Sequence, residues 1–98
     1  MTERFLEITY HAGKPLAAYL YLPRRPGDVS VRTQLAGAGL VIDRVADGRA
    51  IGLEFTVPWR ITVDEVNRAL ALAGQEPATE QELAPLLRLC HDTEAPPS

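Results

Sequence analysis

Cysteine is almost missing from this chain. Cys90 is the only one in 98 residues, so neither an internal disulfide nor a cysteine-built zinc site can form. A lone thiol fits a reducing compartment. Long apolar runs are missing as well: nothing approaches the roughly 18 to 20 residues that span a bilayer, and the N-terminal MTERFLEITY does not have the charged-then-apolar plan of a signal peptide. The expectation is a cytoplasmic protein with no membrane span. A dense basic stripe is the third absence. Residues 1–60 carry eight Lys or Arg against six Asp or Glu, and residues 61–98 carry two against seven, a balance of +2 and then −5. Nucleic-acid affinity rests on neutralising phosphates, so this distribution argues against it. Internal repeats and long linkers are also lacking.

What remains is an ordinary globular composition: 46% apolar residues and a net charge of −3, enough for one core at a common domain size. The most informative stretch is Leu40 to Phe55, LVIDRVADGRAIGLEF, which reads as a hairpin. Asp47-Gly48 is a preferred dipeptide for a two-residue turn with positive φ at both positions. That loop pairs Leu40 with Phe55 and Ile42 with Leu53 on an apolar face, and Val41 with Glu54 and Asp43 with Gly52 on the other. Placing Gly48 in a bulge would slide Asp43 against Ile51 and scramble the faces, so the two-residue register is preferred.

Three further strands precede the hairpin. Arg4 to Tyr10 alternates, with Leu6, Ile8 and Tyr10 on one side and Phe5, Glu7 and Thr9 on the other. After a turn at Gly13-Lys14-Pro15, Leu16 to Leu22 is apolar on both faces, as suits a central strand. Pro23-Arg24-Arg25-Pro26-Gly27 breaks the run into a loop. Val29 to Leu35 alternates again. Beyond Pro58 the period changes to 3.6. Thr62 with Glu65, and Thr79 with Glu82, form capping boxes that open helices over 62–73 and 80–90. Their apolar stripes are Val63, Val66, Leu70 and Ala73, then Leu83, Leu86, Leu87 and Cys90. Pro85 conflicts with the second helix. The polar, proline-rich 92–98 reads as a disordered tail.

The succession Tyr10, Ala18-Tyr19-Leu20, Leu40-Val41-Ile42-Asp43 and Asp47-Gly48-Arg49-Ala50-Ile51-Gly52-Leu53-Glu54 resembles the small bacterial domain-of-unknown-function family numbered 2283, over roughly residues 4–57. His11 departs from that family's usual Asp, and Lys14-Pro15 stands where an acidic residue is usual. The resemblance implies a small sheet and no activity, cofactor or catalytic residue.

The expected architecture is therefore a single α+β domain over residues 1–91: a mainly antiparallel sheet of about five strands (4–57) followed by two helices packed on one face. Two short helices cover one side of a five-stranded sheet, so Phe5, Ala17, Tyr19, Tyr21, Val41 and Val45 are left on an apolar second face. The leading function is a non-enzymatic interaction module that uses this face to dimerise or to bind another protein, with Arg24 and Arg25 tuning specificity. A small enzyme or ligand-binding domain could instead use Asp43 and Glu54, diagonal neighbours on the outer side of the hairpin. A third reading stacks nucleic-acid bases on Tyr19 and Tyr21 beside Arg24, Arg25 and Arg32. His11 and His91 have no second ligand at a metal-like spacing, so no metal or cofactor is expected. Cys90 reads as a buried small hydrophobe and Trp59 as the anchor between sheet and helix.

Overall fold

The computed structural model describes residues 3–94, with side chains through Cys90. Five strands form one antiparallel sheet: β1 (Phe5–His11), β2 (Lys14–Tyr21), β3 (Arg32–Gly37), β4 (Leu40–Arg44) and β5 (Ala50–Phe55), in the spatial order β1-β2-β5-β4-β3. Two helices follow, α1 (Val63–Leu72) and α2 (Ala84–Glu94). The expected α+β class and the expected central place of β2 are both observed. No helix among the described residues is long and apolar enough to cross a membrane.

The hairpin register holds, but by a different route from the expected turn. Leu40 pairs with Phe55, Ile42 with Leu53, Val41 with Glu54 and Asp43 with Gly52. Yet Asp47 keeps negative φ and only Gly48, at +96°, enters the left-handed region. The Gly48 N–H donates to the Val45 carbonyl (2.9 Å) and the Val45 N–H to the Arg49 carbonyl (2.9 Å), closing a three-residue loop over 46–48. The slip this causes is absorbed one step later, where Arg44 faces Ala50 and Ile51 is left over as a bulge. Gly48 thus sits in the bulged turn, and the faces remain unscrambled because a second irregularity compensates. The two-residue turn with both residues at positive φ occurs instead between β1 and β2, at Ala12 (+52°) and Gly13 (+77°).

Two boundaries also move. The third strand starts at Arg32 rather than Val29, because residues 25–28 close on themselves: the Asp28 N–H donates to the Arg25 carbonyl (3.1 Å), and the Arg25 N–H to the Asp28 carboxylate (2.9 Å). The second helix starts at Ala84 rather than 80. Thr79 does cap a turn, accepting from the Glu82 N–H (3.1 Å), but Pro85 has no N–H to give the Gln81 carbonyl. The helix therefore restarts with Pro85 in its first turn, where a missing donor costs nothing. It then runs through residues 92–94, taking them from the expected tail; residues 95–98 lie outside the described residues. In α1 the capping residue is Thr62, which accepts from the Glu65 N–H (3.2 Å). Gly74 (+71°) ends it, with the Gln75 N–H reaching back to the Leu70 carbonyl (2.8 Å).

A single buried cluster joins one sheet face to both helices: Leu20, Ile42, Leu53 and Phe55 pack with Val66, Leu70, Leu83 and Leu86. Both helices therefore cover the same face. Arg4 braces this layer from the β1 side, donating from Nε and Nη2 to the Glu82 carboxylate (2.8 Å each) and from Nη1 to the Glu76 carbonyl (2.6 Å). At the junction of sheet and helix the fully buried anchor is Pro58, with Ile61 beside it, while Trp59 is half-buried. Cys90, partly buried, accepts from the Ile61 N–H (3.4 Å) and so ties α2 to that junction.

Candidate functional site: the uncovered sheet face

Strand alternation puts Phe5, Glu7, Ala17, Tyr19, Tyr21, Val41, Asp43, Gly52 and Glu54 on the face away from the helices. Phe5 is 56% exposed, and Leu35, on β3 beside Val41, is 80% exposed, so nothing in the described chain covers this side. Three rings run across it. Phe5 and Tyr21 have centroids 6.0 Å apart and Tyr19 and Tyr21 4.6 Å apart, both tilted, within the favoured range for aromatic pairs.

Gly52 makes this arrangement possible. Tyr19 lies flat across it, so that a Cβ at position 52 would overlap the ring and its hydroxyl. From there the Tyr19 hydroxyl donates to the Asp43 carboxylate (2.8 Å). Burial first, and then the bond to the Asp43 anion, push the Tyr19 phenol up to about 12. The Tyr21 hydroxyl donates to Glu7 (3.2 Å).

The bulge at Ile51 sets the position of Arg24. The Ile51 carbonyl accepts from the Leu22 N–H (3.1 Å) and from Arg24 Nη2 (2.5 Å), and this holds the guanidinium 5.1 Å from the Tyr21 ring centroid. Arg24 is therefore part of the aromatic row, while Arg25 stands exposed in the loop. Arg32 alternates onto the opposite side, with Gln34 and Arg44, and so does not accompany the tyrosines.

No protein-family model, curated protein or solved structure matches this chain.

Of the residues expected on the interface, the face brings together Phe5, Ala17, Tyr19, Tyr21, Val41 and Arg24. Val45 is corrected: it is only 5% exposed, because it precedes the bulged turn and lines a cavity of about 250 Å³ with Gly27, Asp28, Val29, Val31 and Arg49. Asp43 and Glu54 are diagonal, as the register requires, but on an open face with Asp43 engaged by Tyr19. His11 is exposed at the end of β1; the side chain of His91 lies outside the described residues. Gly52, Glu7 and Leu35 were not singled out from sequence. A lone glycine inside a strand was the signal for the first.

The cavity is walled by a clamp. Arg49 donates from Nη1 and Nη2 to both Asp28 oxygens (3.0 and 2.9 Å) and from Nε to Asp47 (2.8 Å), so its charge is already matched. The Arg49 bonds, followed by the Arg25 N–H, hold the Asp28 carboxyl at about 2, and the same guanidinium lowers Asp47. A carboxyl held below its unfolded value stabilises the fold above that value. The contribution fades as pH falls from about 4 towards 2. Urea midpoints of the parent chain and Asp28→Asn are expected to differ at neutral pH and to converge across that acid window; a gap that stays constant to pH 2 would show that the clamp is not the cause.

Proposed function

We propose that this chain is a non-enzymatic protein-interaction module whose uncovered sheet face receives a basic segment of another protein. The observation that carries the proposal is the row Phe5, Tyr21 and Tyr19, left open on a face where the described residues include Glu7, Asp43 and Glu54 and, among cations, Arg24. Aromatic rings give contact area at little entropic cost, and surrounding carboxylates favour lysine or arginine ends whose aliphatic stems lie over the rings. We also propose kinship with the bacterial family numbered 2283; it is supported by Asp47-Gly48-Arg49 joining β4 to β5, and it adds no activity.

A peptide alternating lysine and leucine, titrated against the chain, is expected to bind and to perturb the amides of β2 and β5, whereas a glutamate-leucine peptide is not. Tyr21→Lys and Glu54→Lys should each weaken the interaction about tenfold or more. Equal binding of both peptides, or insensitivity to both substitutions, would count against the proposal.

A further inference from the structure

Of the large hydrophobic side chains exposed among the described residues, four crowd one border of the molecule: Val29 (67%), Val31 (55%), Leu35 (80%) and Leu72 (54%). The first three lead into or belong to β3, and Leu72 ends α1, its carbonyl accepting from the Arg44 that also holds Gln34. This border is an open sheet edge, since among the described residues β3 has β4 on one side and no strand on the other.

The backbone groups presented there follow from the ladder. The Thr56 N–H donates to the Gly39 carbonyl (3.0 Å), so Gly39, Val41 and Asp43 turn their polar groups towards β5. Leu40, Ile42 and Arg44 then face β3, and their partners Gln34 and Arg32 face back. Thr33 and Leu35 are left with N–H and C=O groups pointing out of the sheet. Between Thr33 and Leu35 the edge holds no proline and no charge, and its protections lie on either side of that segment, the charge of Arg32 before it and a register shift between Leu35 and Gly37 after it. The opposite edge is blunted: β1 carries Glu7 at its centre and a register shift at Thr9/Tyr10.

We propose that the chain forms a homodimer by antiparallel pairing of β3 with β3 of a second copy, about a two-fold axis at Gln34. The register selects the occupant. With the axis at Gln34, Thr33 lies opposite Leu35 of the second copy and the reverse, so all the outward groups of both strands close hydrogen bonds. The two Leu35 side chains become diagonal neighbours, and Arg32 falls opposite Ala36. An axis at Arg32 would oppose two guanidinium groups. An axis at Thr33 would need the Val31 N–H, which already donates to the Arg44 carbonyl (2.9 Å). Of the axes at Arg32, Thr33 and Gln34, the one at Gln34 makes the strand complementary to itself, as an isologous interface requires. Because the axis runs perpendicular to the sheet, the dimer is a ten-stranded sheet with four helices on one side and both aromatic faces on the other. The dimer does not depend on what those faces bind.

Light scattering of the full chain at tens of micromolar is expected to give a dimer. Leu35→Lys, and Thr33→Pro, whose missing N–H is one that points out of the sheet, are each expected to give a monomer with an unchanged circular dichroism spectrum. Gln34 lies at a non-hydrogen-bonded position on the axis, where the two Cα atoms approach to about 4.5 Å, within disulfide range. Gln34→Cys is therefore expected to form a covalent dimer on mild oxidation, while Arg32→Cys and the parent chain with Cys90 alone do not. Tyr21→Lys should leave the dimer intact, so this inference and the proposed function fail separately. A parent chain that is strictly monomeric, including one whose edge takes up an extended peptide instead, overturns the proposal. So does a dimer that survives both edge substitutions and gives no Gln34→Cys crosslink.

Discussion

Phe55→Ala is expected to lower the unfolding free energy by about 3 to 5 kcal/mol, while Glu54→Ala, one residue away, changes it by less than about 0.5 kcal/mol. Phe55 is fully buried and sits where β2, β5 and β4 meet, paired with Ala18 and Leu40 and packed in the cluster that both helices share. Truncating it removes the transfer energy of a phenyl ring and leaves a cavity that the surrounding leucines fill only in part. Glu54 points the other way, into solvent. A domain of this size has a stability of about 5 to 15 kcal/mol, so the first change takes a large share of it and the second leaves it almost untouched. Urea melts with unchanged slopes measure both. Similar losses at the two positions would mean that the uncovered face is buried in the native molecule.

That contrast was legible in the sequence because period-two alternation assigns each side chain a face without reference to distant contacts. The pairs Leu40–Phe55 and Ile42–Leu53, the capped α1 and its stripe from Val66 to Leu70 follow from local patterns, and the structure has them. What local pattern does not contain is how one irregularity answers another. Asp47-Gly48 favours a tight turn, yet the loop takes three residues, since Asp47 accepts from the Arg49 N–H (3.0 Å) and Arg49 is drawn to Asp28, 21 positions away. The extra residue reappears as the Ile51 bulge, whose carbonyl then places Arg24 over Tyr21. The three-residue turn thus occurs together with a contact between remote segments, and the bulge that compensates it holds a cation on the candidate site. The same holds for Val45: alternation assigns it outward, and the 27–31 segment closes over it.

The second large effect is expected at Gly52. Its backbone is in an ordinary extended conformation, so the glycine is required by what lies above it and not by its own dihedral angles. In Gly52→Ala the new methyl group occupies the place of the Tyr19 ring. Tyr19 has to swing away, the 2.8 Å bond to Asp43 is lost, and the ring leaves the row it shares with Tyr21. The readout is the phenol. In the parent chain the Tyr19 ring-carbon shift should titrate at about 12, and in Gly52→Ala it should move down towards the usual tyrosine value near 10. The sign fixes the stability consequence. A phenol raised in the folded state contributes fully below about pH 10 and loses that contribution as pH climbs through about 12, so the parent chain should lose stability in that interval and the variant should not. A double-mutant cycle separates this from a general disturbance: Tyr19→Phe is expected to cost about 1 kcal/mol in the parent chain and close to nothing once Gly52 is Ala. If Tyr19 still titrates late in Gly52→Ala, the shift has another source. If it titrates early and binding of the lysine-leucine peptide survives unchanged, the aromatic row is not the surface that a partner reads.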